Sequence, residues 1–247
     1  MSILDNAKPA QATGPAHVLI HGEAGAGKTY AIRTLPTSDD RILVLATEPG
    51  TRSLSDTAIP VLPITSVEDL RAVLAALRAE PDRYDWIAID SLSELAAIVL
   101  REAMDAARRP DGTPGDGRMI YGTMARRVRT IVAGFLALGI NTLWICRQDR
   151  DIDSDSGQIT ARYPSMPGKL LALRQPIAHD FDFVLGLTSR RQGAGFVRQL
   201  QTTKTADPTT DAKVRDPRGL LDPWEPADIG ALLKKLAPEA KKVGANG

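Results

Sequence analysis

Gly22-Glu23-Ala24-Gly25-Ala26-Gly27-Lys28-Thr29 fits the pattern G-x-x-x-x-G-K-[ST] at every fixed position. The apolar run His17-Val18-Leu19-Ile20 leads into it as a strand, and a helix-compatible segment from Thr29 to Leu35 follows and stops at Pro36. A phosphate cradle requires this order. Glycines let consecutive backbone N–H groups curl around an anion, and a following helix adds the positive end of its dipole. Lys28 has the length to reach β- and γ-phosphates, and Thr29 has a hydroxyl able to ligate Mg²⁺. Gly22, Glu23, Ala24, Gly25, Ala26, Gly27, Lys28, Thr29 and Tyr30 are therefore the expected contacts for ATP with Mg²⁺.

Outward from this loop, strand-like and helix-like patterns alternate, which predicts an α/β fold with a mostly parallel sheet covered by helices. Strands are expected at Val18–Ile20, Ile42–Ala46, Val61–Ile64, Trp86–Ile89 and Thr142–Cys146. Ser66 opens a helix running to Ala79, and Ser91-Leu92-Ser93-Glu94 reads as a capping box before Leu95–Ala107. Tyr121–Leu138 is a third helix. Residues 108–118 and 149–168 read as loops, the second polar and acidic. Phe181–Leu187 and Phe196–Thr202 read as an antiparallel hairpin around Arg190–Gly195, followed by a short helix at Ala227–Leu236. The organisation expected is a loose arm over residues 1–15, one domain over 16–236 and a basic tail over 237–247.

The 247 residues are 43% hydrophobic, enough for a sizeable core in one domain. The formal net charge of +1 gives no overall attraction to nucleic acid, so any such contact must come from a local patch. The single Cys146 excludes an internal disulfide and a cysteine-based zinc site. No signal-peptide pattern and no membrane-length apolar run occur, so a cytoplasmic protein without membrane contact is expected.

Hydrolysis needs carboxylates beside the phosphates. Asp90 ends the apolar run Trp86-Ile87-Ala88-Ile89, at the strand end where open α/β sheets bind ligands, and is the expected carboxylate of the Mg²⁺ shell. Ser91 follows it, so the water-orienting group must come from elsewhere. Glu48, after Ile42–Ala46, is that candidate, on the assumption that its strand lies beside the Val18–Ile20 strand.

Thr47-Glu48-Pro49-Gly50 and Ile89-Asp90-Ser91 resemble the RecA-type recombinase and motor ATPases. The resemblance covers most of residues 16–220 and implies a RecA-like P-loop core with Glu48 catalytic. It also implies a polar γ-phosphate sensor at Cys146-Arg147-Gln148, with Gln148 the better match, and DNA-binding loops at 108–118 and 149–168. Ala212-Lys213-Val214-Arg215-Asp216 looks like the Lys-x-Arg finger that some of these proteins insert into a neighbour's ATP site, so Lys213 and Arg215 would act in trans within a ring or filament of identical chains. Among such proteins the chain is similar to the short phage-borne RecA-like ATPases of single-strand annealing and recombination, which implies single-stranded DNA as partner and a bacterial host cytoplasm. The acidic second loop departs from the basic character expected of a DNA contact.

For DNA itself the cations available are Arg108, Arg109 and Arg118 around the first loop and Arg126 and Arg127 on the next helix. A solvated helix face accounts for the same residues. Two other functions remain open from sequence: a small-molecule or nucleotide kinase on the same loop, and an ATP-dependent switch acting on a replication or recombination partner without touching DNA.

Overall fold

The strands that carry the phosphate loop and the two predicted carboxylates run parallel and end at the same edge of one sheet. The structure is a computed structural model describing residues 14–169, 177–193, 195–206 and 209–237. Its strands are β1 (His17–Gly22), β2 (Ile42–Ala46), β3 (Val61–Pro63), β4 (Trp86–Asp90), β5 (Asn141–Ile152), β6 (Ile159–Pro164), β7 (Phe183–Gln192), β8 (Gly195–Gln201), β9 (Thr205–Ala206), β10 (Thr209–Thr210), β11 (Lys213–Val214) and β12 (Trp224–Pro226). The main sheet runs β12-β8-β7-β1-β5-β4-β2-β3. From β7 to β3 it is parallel, and the β7–β8 hairpin and β12 add an antiparallel margin. This is an α/β architecture with a mostly parallel central sheet, flanking helices and an antiparallel margin.

Burial follows from the strand sequences. All of Ile42-Leu43-Val44-Leu45-Ala46 is buried, as a parallel strand covered on both faces must be. One face packs on α1 (Val67–Ala79), α2 (Leu92–Ala106) and α3 (Gly117–Leu136), through residues such as Leu70, Leu95, Val128 and Phe135. Trp144 of β5 sits there between Phe135 and Phe181, edge-on to both. The other face packs on Ala31 and Ile32 after the phosphate loop and on Ile229 and Leu232 of α4 (Ile229–Leu236).

Several predicted boundaries shift. The segment after Lys28 is a 3₁₀ helix, Thr29–Thr34, not an α-helix, so the expected macrodipole is short. Ser66 and Asp69 form a complete capping box, whereas Ser91 supplies only half of one: Glu94 N–H donates to Ser91 Oγ, but the Glu94 carboxylate turns to Arg101 and Arg147. Asp116 caps α3 through the Arg118 N–H, which starts that helix at Gly117 rather than Tyr121 and shortens the first loop.

The second loop is the larger correction. β5 continues to Ile152 and pairs antiparallel with β6, Asp149 opposite Tyr163 and Asp151 opposite Ala161. The acidic side chains suit an exposed hairpin. Asp151 accepts from Tyr163 Oη at 2.5 Å, and Asp153 accepts from the Asp155 and Ser156 N–H groups to shape the turn. The β7–β8 ladder likewise extends through Arg190, Arg191 and Gln192, so the turn is tighter than the predicted Arg190–Gly195.

Candidate active site

Gly22 closes β1 against β7. A Cβ at Gly22 would lie 2.5 Å from the Leu187 carbonyl oxygen, so only glycine lets the loop leave the sheet here. Lys28 Nζ folds back over the loop and donates to the Gly22 and Glu23 carbonyls, each at 2.8 Å. Burial lowers its pKa, opposed by Asp90, Cys146 and Glu48. The ammonium group therefore sits within the field of both candidate carboxylates.

Asp90 ends β4, which β5 separates from β1. It still reaches the loop: Thr29 Oγ1 donates to Asp90 Oδ2 at 2.6 Å. Burial pushes the Asp90 carboxyl up in pKa, and the Thr29 hydrogen bond opposes this. A hydroxyl and a carboxylate so close together are two hard oxygen donors. They fit Mg²⁺, which keeps several waters, takes phosphate oxygens and needs few protein ligands. Thr29 and Asp90 are the residues that would hold it.

The assumption that the Glu48 strand borders β1 fails, because β5 and β4 lie between β1 and β2. Glu48 reaches the site nonetheless, through the clasped ends of β2 and β4. Thr47 N–H donates to the Asp90 carbonyl at 2.8 Å. The Thr47 hydroxyl donates to the Ser91 carbonyl at 3.0 Å and accepts from the Ser91 N–H at 2.8 Å. Ser91 Oγ then donates to Glu48 Oε1, and Arg147 pairs with Glu48 Oε2 at 2.8 Å. Arg147 also reaches Glu94 at 3.3 Å. Burial alone would raise the Glu48 pKa, but the Arg147 and Ser91 hydrogen bonds outweigh it and hold the carboxylate below its ordinary value. Glu48 is thus ionised and oriented, as a group that positions water must be.

Arg147 and Gln148 take different directions. Arg147 faces Glu48, while the Gln148 side-chain amide packs 3.1 Å from Nδ1 of the buried His21. His21 Nε2 lies 2.7 Å from the Asp211 carbonyl, and burial lowers the ring's pKa. A neutral ring donating from Nε2 is satisfied when the Gln148 amide presents its NH₂ to Nδ1. Gln148 also borders an open cavity of about 450 Å³ with Glu23, Ala24, Gly25 and Ala26.

Lys213 and Arg215 lie elsewhere. β11 pairs with the beginning of β7, Lys213 opposite Val184, far along the sheet from the strand ends that hold the loop. Lys213 Nζ donates to the carbonyls of Phe181, His179 and Ala178 at 3.0, 3.2 and 3.4 Å, and Arg215 pairs with Asp182 at 3.2 Å. Burial lowers the Lys213 pKa, with Arg215 adding to the effect. Of the cations proposed for DNA, Arg108, Arg109, Arg118 and Arg126 are exposed and Arg127 is half-buried. Arg108 pairs with Asp105 at 3.7 Å, and Arg126 borders an open cavity of about 750 Å³ along α3 with Arg129 and Asp180. Among the described residues no helix is long and apolar enough to cross a membrane.

The sequence did not reveal the Arg147–Glu48 pair. Its only signal was strand alternation at Cys146-Arg147-Gln148, which forbids both polar residues from facing the same way.

A crystal structure of the KaiC-like protein PH0186 from the hyperthermophilic archaeon Pyrococcus horikoshii OT3 is similar, with 14% identity and a TM-score of 0.46 over 83% of this chain and 82% of that one. No curated protein matches the chain in sequence. Residues 14–215 match the family model AAA_24, described as an AAA domain, which spans the phosphate loop, Glu48, Asp90 and Arg147. The chain belongs to this AAA-domain family of P-loop ATPases.

Proposed function

We propose that the chain hydrolyses ATP with Mg²⁺ at the edge formed by β1, β5, β4 and β2, and that it does so while assembled on single-stranded DNA, where it promotes annealing or recombination. The observation that carries the hydrolytic part is the convergence of Lys28, the Thr29–Asp90 pair and Glu48 on that edge. Loop N–H groups and Lys28 bind the phosphates and take up charge that grows on the leaving side. When bound through Thr29 and Asp90, Mg²⁺ supplies charge neutralisation to the phosphate oxygens. Glu48, held by Ser91 and Arg147, orients a water and accepts its proton as the water oxygen bonds to the γ-phosphorus and the bond to the ADP oxygen breaks.

The DNA part is supported by the motif resemblance and by the exposed arginines that line one loop and the first turns of α3. Backbone phosphate contacts fit them better than stacking, since aromatics make up only 4% of the chain. Assembly is supported by the Lys213-Val214-Arg215 motif. The Arg215 side chain is 63% exposed, and on this reading it enters a neighbouring chain's site.

ATP turnover measured against protein concentration, with and without a single-stranded oligonucleotide, tests this function. Turnover is expected to rise more steeply than linearly with protein and to increase with DNA, and Arg215→Ala is expected to remove the steepness. Turnover proportional to protein and indifferent to DNA overturns the assembled, DNA-dependent part. Phosphate transfer from ATP to a nucleoside or sugar overturns hydrolysis as the reaction.

A further inference from the structure

Arg198 lies in β8, two residues before the buried Leu200 and on the same face of the strand. Leu200 packs in the cluster that contains Ala31 and Ile32, so this face of β8 looks onto the segment that follows Lys28. The Arg198 side chain touches the loop itself. A Cβ built on Gly27 would fall 2.7 Å from Arg198 Nε and 2.8 Å from its Cδ. The φ of +97° at Gly27 requires glycine there, and the missing side chain leaves the arginine stem room to lie against the loop.

The guanidinium group is held over Tyr30, 5.5 Å from the ring centroid. Arg33 lies 5.1 Å from the same ring, but its charge is already used in a two-pronged pair with Asp56 at 2.7 and 3.0 Å. Arg198 has no carboxylate partner and no side-chain hydrogen bond among the described residues. A positioned arginine with its donors unused, lying on a phosphate-loop glycine, is built to receive an oxyanion. Gly27 and Tyr30 bracket Lys28 and Thr29, the stretch over which the diphosphate part of a nucleotide lies in a loop of this pattern.

We propose that Arg198 is a nucleotide-binding residue supplied in cis by the β7–β8 hairpin, with its guanidinium group on the α- and β-phosphates of ATP or ADP. The inference rests on the nucleotide reading of the loop and adds to it a fixed cation from the opposite margin of the sheet. Because Arg198 meets the diphosphate, it acts on ATP and ADP alike, which separates it from Glu48 at the γ-phosphate. It also joins nucleotide occupancy to the hairpin, since the strand that carries Arg198 is tied to β7 along its length.

Equilibrium titration of the full chain with ATP, ADP and adenosine tests this. Arg198→Ala is expected to weaken ATP and ADP binding by a similar factor of about ten or more while leaving adenosine unchanged. Arg198→Gln keeps a stem over Gly27 and Tyr30, guards against loss of folding, and is expected to show the same selective weakening. Wild-type chain that binds neither ATP nor ADP overturns the nucleotide reading and this inference with it. Wild-type binding with unchanged ATP and ADP affinity in both variants overturns this inference alone, as does weakening of ATP without ADP.

Discussion

Two charged regions of this molecule look alike in sequence and differ in space. At the carboxyl-terminal edge of the parallel strands, Lys28, Asp90, Glu48 and Arg147 come from four separate segments and act on one another. At the beginning of β7, Lys213 and Arg215 stand two positions apart in sequence and are used locally, the lysine on three carbonyls and the arginine on Asp182. Parallel strands must all end at one edge, so short motifs after them converge without needing to be near in sequence. A motif on the antiparallel margin gathers no such company. Neither residue lies beside this chain's own phosphate loop.

The sharpest way to break this contrast is within the first region. Arg147→Ala removes the cation that holds Glu48 ionised and oriented, and is expected to lower ATP turnover by about 10²-fold. Gln148→Ala disturbs His21 instead and is expected to cost only a few-fold. The reverse order in steady-state rates would make Gln148 the group that serves the γ-phosphate.

In the second region the expected effect is on stability. Lys213→Met leaves carbonyls of residues 178–181 without their charged donor and is expected to cost about 1–2 kcal/mol in urea unfolding. No loss of stability would free Lys213 from its local role and strengthen a role solely in trans.

A smaller effect comes from pH. Burial holds the folded-state pKa of His21 below its unfolded value of about 6.5, so below that pH the unfolded chain binds a proton the folded chain refuses. The stability is whole above pH about 6.5 and falls by up to about 1.4 kcal/mol per pH unit as pH drops toward the lowered folded value. His17, also lowered chiefly by burial with Asp182 opposing, works in the same direction. Unfolding free energies measured between about pH 7 and about pH 5 should show the slope, and His21→Asn should flatten it. The smallest effect belongs to Arg33→Ala. It breaks a surface pair with Asp56 and is expected to leave both the urea midpoint and nucleotide binding close to wild type.

Much of this was legible in the residues. The phosphate loop, the strand at Ile42–Ala46, the strand expected at Trp86–Ile89 (one residue longer in the fold) and the Ser66 cap follow from local rules of spacing and capping. What was not legible depends on neighbours distant in sequence. Thr29 turns into a 3₁₀ rather than an α-helix, and the acidic stretch after Gln148 forms a hairpin because β6 pairs with it. Glu48 was placed at the phosphates on the premise that its strand touched β1. It arrives there from three strands away, by way of the Thr47–Ser91 clasp. Arg198 left no mark in sequence, since nothing local to β8 shows that it will meet Gly27.

Glu48→Gln tests the central claim most directly, through ATP affinity and ATP turnover measured on the same preparation. The substitution keeps the shape and the Ser91 contact but removes the charge that draws a proton from water. Affinity is predicted to stay at the wild-type value while turnover falls by about 10²-fold or more. A variant that binds ATP and hydrolyses it at close to the wild-type rate would contradict the account.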